Sequence, residues 1–103
     1  MKETEFVIQL GPADRLREYH ARSRGKIINF SVQYETLWRG DWLPVVRYDT
    51  AHGFSHRDQY GIQGTVIKTP LFILDYNRAL TFAELDLKAN WQLYRERFFR
   101  RVG

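Results

Sequence analysis

Seven side chains able to bind or transfer a proton fall within twelve positions: Arg47, Tyr48, Asp49, His52, His56, Arg57 and Asp58. They lie inside the stretch Trp42 to Asp58, WLPVVRYDTAHGFSHRD. Two of the three histidines are here, four residues apart, with one carboxylate three residues before the first and another two after the second. Imidazole titrates near neutrality, so a neutral ring and a protonated ring can act together as base and acid. On a phosphodiester, His52 and His56 would move the protons, with Asp49 orienting a histidine. Arg47 or Lys68 would stabilise the developing negative charge, and Tyr48 would contact the substrate. This chemistry calls for no metal or other cofactor.

Two other readings fit the same residues. Asp49, His52, His56 and Asp58 are acceptable ligands for zinc or manganese, although their spacing follows no established metal motif. Alternatively, Arg47 pairs with Asp49 or Asp58 and the histidines close the turn by hydrogen bonds, giving a structural ion-pair network. Ala51 and Gly53 are expected to allow close backbone approach around His52. No phosphate loop, dinucleotide glycine motif, serine-nucleophile motif or zinc-protease motif occurs.

The elements that must position these groups are legible in the hydrophobic pattern. Lys26 to Thr36 alternates Ile28, Phe30, Val32 and Tyr34 with Asn29, Ser31, Gln33 and Glu35, the period of a strand with one wet face. Arg39-Gly40-Asp41 signals a turn and Trp42 to Thr50 a returning strand, with Trp38 and Trp42 able to pair across the hairpin. Pro44 lacks a ladder donor and points to an edge or a bulge. Val46 and Tyr48 should then face one side, with Val45 and Arg47 on the other. Thr4 to Leu10 and Thr65 to Lys68 are further strands, and Tyr60 to Gly64 a turn. Asp14 to Gly25 is expected to be a short helix closed by Gly25, with His20 exposed among basic residues and Tyr19 available to stack against a nucleobase. Thr81 to Glu84 is a capping box that opens a helix running to about Arg100. Its stripe is Ala83, Leu87, Trp91, Tyr94 and Phe98, flanked by Phe82, Leu85, Ala89 and Leu93. These elements predict an α+β domain over residues 1–103: an antiparallel sheet of four to five strands with a long C-terminal helix on one face.

Composition bounds the function. A chain of 103 residues, 44% hydrophobic and without cysteine, can bury its own core; it excludes disulfides and thiolate chemistry and is expected to be cytoplasmic. The N-terminal apolar run is too short for a secretory or membrane-spanning segment, so no membrane partner is expected. The net charge of +4 divides as +2 over residues 1–26, −1 over 27–77 and +3 over 78–103. If the two ends meet in the fold, they border the central motif with positive potential. The late bases Arg97, Arg100 and Arg101 also match the helix dipole.

The residues Trp42, Pro44 to Phe54, His56 and Asp58 form a W-x-P-V-V-R-Y-D-T-A-H-G-F-x-H-x-D pattern. With Asp14 to Gly25 and Thr81 to Phe98, this pattern resembles a small uncharacterised prokaryotic domain family. The Arg47-Tyr48-Asp49-x-Ala51-His52 core is also similar to a segment of TumE-like toxins, small members of type II toxin–antitoxin modules associated with action on RNA. Thr50 stands where that segment has Asn, and the proline before the histidine is absent here. The resemblance implies RNA as a target, a cognate antitoxin as a protein partner, and roles for Arg47, Asp49 and His52. The expected function is therefore that of a small RNA-directed, toxin-like protein and metal-independent ribonuclease. The alternative is a non-catalytic binding or assembly domain, with a homodimer formed through a sheet edge or exposed aromatics.

Overall fold

Two Arg-Gly pairs, Arg24-Gly25 and Arg39-Gly40, hold positive φ at both residues (52° and 77°, 51° and 86°). This backbone matches the right-handed twist of flanking strands and closes two-residue hairpins. The computed structural model describes residues 1–100, and its elements follow from such turns. The strands are β1 (Lys2–Gly11), β2 (Asp14–Ser23), β3 (Lys26–Trp38), β4 (Asp41–Asp49), β5 (His56–Tyr60) and β6 (Val66–Pro70), with one 3-10 turn at Ala51–Gly53 and helix α1 at Tyr76–Phe99. The strands form a single antiparallel sheet in the order β1-β2-β3-β4-β5-β6. The chain is thus α+β, with six strands where the pattern predicts four or five.

The two strands beyond the four that the pattern names are His56–Tyr60 and Asp14–Ser23, the latter a strand rather than the expected helix. Leu16 is the one large apolar residue that it turns toward the core. Its companions on that side are Asp14, Glu18 and His20, so the apolar alternation that marks a strand is hidden. Asp14 takes partners from other elements, whereas Glu18 and His20 pair with each other along the strand. The Tyr34 hydroxyl donates to Asp14, Arg95 approaches Asp14 at 3.5 Å, and His20 Nδ1 meets Glu18 at 2.9 Å. His20 is therefore half-buried, edge-on to Phe6, rather than exposed. Gly25 closes a hairpin and not a helix.

In the β3–β4 hairpin, Tyr34 pairs with Val46 and Glu35 with Pro44, so Val45 is the extra residue of a bulge. The proline sits where the ladder is already interrupted. Trp38 and Trp42 do not pair. Cross-strand register opposes Trp38 to Asp41 and Leu37 to Trp42, which sends the two rings to opposite sides. Trp38 packs on Phe99 with centroids 5.0 Å apart, and Trp42 takes the Arg15 guanidinium at 4.0 Å.

Helix α1 begins five residues before the expected capping box. Asp75 is the N-cap, its carboxylate accepting from Asn77 N–H at 2.9 Å. Thr81 lies inside the helix and returns its hydroxyl to the Asn77 carbonyl at 3.0 Å. Ala79, Leu80, Ala83, Leu87, Tyr94 and Phe98 are buried over β3 and β4 against Phe30, Val32, Tyr34, Val46 and Tyr48. Phe82, Leu85, Ala89 and Leu93 are exposed, so the stripe is narrower than the pattern predicts. One helix covers the middle of one face, and the opposite face of the sheet carries none. Among the described residues, no helix is long and apolar enough to cross a membrane.

Candidate functional site

Strand alternation sorts β4 into two sides: Val46 and Tyr48 turn to α1, Arg47 and Asp49 to the face without a helix. Directly paired residues share a face, so register extends this face across the sheet. Arg17, Gln33, Arg47, Asp58 and Lys68 form one row from β2 to β6. Tyr19, Ser31, Asp49, His56 and Pro70 form the next.

Asp49 is the hub. It is 7% exposed; Oδ1 stands 2.9 Å from His56 Nε2 and accepts from Ala51 N–H at 3.2 Å, while Oδ2 lies 2.8 Å from Arg47 Nε. The Arg47 contact is an ion pair set off the N–H axis, since Nε makes no well-aligned hydrogen bond. The other nitrogen of His56, Nδ1, faces the Phe54 carbonyl at 3.4 Å. Asp58 stands 3.9 Å from His56 Nε2 and 3.5 Å from Lys68 Nζ, and its buried Oδ1 has no hydrogen bond.

His52 reaches the same place by a different route. It is exposed and holds φ at 70°, an uncommon conformation for a residue with a Cβ and one that clusters at functional sites. Its ring centroid is 6.3 Å from that of His56, and the half-exposed Phe54 ring lies 5.5 Å from His56. Gly53 supplies a positive φ of 84° rather than close backbone approach, as a Cβ there would meet nothing within 4 Å.

The face brings together Arg47, Asp49, His52, His56 and Lys68. It excludes Tyr48, which is fully buried on the opposite side and donates its hydroxyl to Asp86 at 2.7 Å. Burial first, then the Asp86 carboxylate, hold the Tyr48 phenol well above its ordinary pKa. A substrate-binding role for Tyr48 is therefore withdrawn: the β4 alternation that exposes Arg47 buries its neighbour. Among the described residues, no three histidine, aspartate or glutamate side chains are grouped to hold a metal ion. Oδ1 of Asp49 already accepts from the Ala51 N–H and Oδ2 is in the Arg47 ion pair.

Of the two basic chain ends, only the first contributes to this face. Arg15 and Arg17 lie on this face, paired with Glu35 at 2.7 and 3.3 Å, and Gln33 donates to the same carboxylate. The helix bases lie across the sheet, so the two basic ends do not jointly border the motif; Arg101 lies outside the described residues. Arg15, Arg17 and Glu35 are the residues that sequence reasoning missed as a group. The signal was the i, i+2, i+4 spacing of Arg15, Arg17 and Tyr19, which places all three on one side only if the segment is a strand. Two depressions mark the face. One, of about 420 Å³, is lined by Glu5, Arg17, Tyr19, Ser31, Gln33 and Arg47. The other, of about 230 Å³, is lined by His52, Phe54, His56, Lys68, Thr69 and Pro70.

No match was found among curated proteins or among solved structures. Over residues 1–103 the chain matches the family described as Domain of unknown function (DUF7718), and it belongs to that family.

Proposed function

We propose that this chain is a small RNA-directed protein of toxin-like type that cleaves a phosphodiester without a metal. The observation that carries the reading is the Asp49–His56 contact at 2.9 Å, with the exposed, positive-φ His52 beside it. Asp49 fixes one ring nitrogen of His56. The other nitrogen is held only by a long contact to the Phe54 carbonyl, which a substrate oxygen can replace. One imidazole accepts the proton of the RNA 2′-hydroxyl as its oxygen attacks phosphorus, and the other protonates the departing 5′-oxygen. Arg47 and Lys68, both more than two-fifths exposed, neutralise charge on the phosphoryl oxygens. Under this reading a cognate antitoxin protein is the partner that silences the site. The His52→Ala/His56→Ala double variant is expected to fold and to lose RNA cleavage, with wild-type cleavage persisting in EDTA. Cleavage retained by the double variant refutes the assignment.

One observation favours a second reading, a non-catalytic binding or assembly domain that joins copies through the free edge of β1 or β6. Arg15, Arg17, Arg47 and Lys68 on the face each have a carboxylate within 4.0 Å, as a purely structural network would. In that case wild type cleaves no RNA, and Asp49→Ala, by stranding Arg47 and His56, costs about 2 to 3 kcal/mol. Thermal unfolding would then shift downward by roughly 10 °C. An Asp49→Ala variant as stable as wild type excludes this reading.

A further inference from the structure

The two depressions lie on the same face, one on each side of Asp49, and each sets basic side chains beside an aromatic ring. The first places Tyr19 beside Arg17 and Arg47; the second places Phe54 beside His56 and Lys68. The register row Tyr19, Ser31, Asp49, His56, Pro70 connects them directly across four strand gaps. At the usual strand spacing Tyr19 stands about 14 Å from His56. A ligand linking both depressions must therefore run across the strands, over the hub.

We infer that this face is a track for single-stranded RNA, with Tyr19 and Phe54 each stacking one base on either side of the Asp49–His56 pair. The inference rests on the proposed RNA-directed function and adds where the strand lies and which form of RNA is accepted. Three features of the face argue for it. Phe54 is 50% exposed although it sits next to a buried histidine, so its ring is free to take a flat partner. Arg17, Arg47 and Lys68 are 59%, 43% and 73% exposed at their side chains, so their groups can turn from their carboxylates to phosphates along the path. On the outer rim, Glu5 lines the Tyr19 depression and Glu3 accepts from the Tyr19 hydroxyl at 3.1 Å. Those carboxylates repel phosphate, which confines the backbone to the Arg17–Arg47 side and leaves the Tyr19 ring for a base. A duplex hides its base faces within the stack and cannot use either ring, whereas a single strand can.

The test uses a labelled eight-nucleotide RNA with every 2′-hydroxyl methylated, which cannot be cleaved, both alone and annealed to its complement. Wild type is expected to bind the single strand and to bind the duplex at least about tenfold more weakly. Phe54→Ala and Tyr19→Ala should each lose about five- to hundredfold in single-strand affinity, the range that one stacked base contributes. Phe54→Tyr and Tyr19→Phe, which keep the rings, should recover most of it; thermal melts confirm that all four variants fold. Equal affinity for duplex and single strand overturns the track, as do alanine variants that bind like wild type. If wild type cleaves RNA while those variants bind normally, only the stacking assignment fails. If wild type neither binds nor cleaves RNA, the proposed function fails with it.

Discussion

Asp49 illustrates why a single buried carboxylate can organise a site. At 7% exposure its charge is shielded from water, and it is held by an arginine, an imidazole and a backbone N–H. Removing any one partner leaves the others to compensate an ion that solvent cannot reach. Glu18 is a contrasting case on the helix side, where carboxylates crowd each other. Burial, then the neighbouring Glu84 carboxylate, push its pKa up to about 7, with Lys88 opposing the shift. In the window between the ordinary value of 4.5 and about 7, the folded chain holds a proton on Glu18 that the unfolded chain has released. Stability should therefore fall as pH rises through that window. Glu18→Gln removes the linkage, and urea unfolding at a series of pH values should show a flatter stability profile than wild type. An unchanged slope would place the coupling elsewhere, with Glu84 the next group to replace.

Among the elements, α1 shows how two capping signals compete. Thr81 and Glu84 carry the residue types of a capping box, and local sequence alone selects them. The helix starts earlier because its own Ala79 and Leu80 are buried against the sheet and because Asn77 accepts from the Ile27 N–H at 2.9 Å, tying the first turn to β3. Tertiary burial outweighs a cap contributing about 1 kcal/mol. Asp75→Ala is expected to destabilise the domain by about 1 kcal/mol, and Thr81→Ala by no more than a few tenths. Denaturant titration of both variants resolves the difference, and the reverse order would return the helix start to Thr81. The loop between β4 and β5 shows the opposite balance: it keeps His52 at positive φ, where glycine would be at ease.

For the molecule as a whole, net charge matters less than where the sheet places it. The helix-free face mixes Arg15, Arg17, Arg47 and Lys68 with Glu5, Glu35, Asp49 and Asp58, so it carries no single-sign field despite the net charge of +4. RNA binding should then reflect a few local phosphate contacts. With Arg17, Arg47 and Lys68 engaged, log affinity plotted against log salt should fall with a slope of about −2 for a single strand. A slope near zero would mean that phosphates do not touch these cations.

Much of this arrangement was written in local pattern. The alternation of Ile28 to Tyr34, the Arg39-Gly40 turn, Pro44 at an interrupted ladder, and the apolar spacing from Ala83 to Phe98 each fix an element through neighbours a few residues away. The grouping of Arg47, Asp49, His52 and His56 as one candidate site also came from spacing alone. Three things required the folded chain. Asp14–Ser23 became a strand because it pairs along its length with β3 and because its inward Asp14 meets Tyr34 on β3 and Arg95 on α1, contacts that no window of local sequence contains. Tyr48 left the site because the face opposite Arg47 is the one that the helix covers. His56 met Asp49, and Arg17 and Tyr19 joined them, because antiparallel register aligned four strands in two rows. Periodicity acts within a strand, whereas register acts between strands, and that is why sequence determined most of the elements while tertiary structure decided Asp14–Ser23 and the helix start and assembled the site.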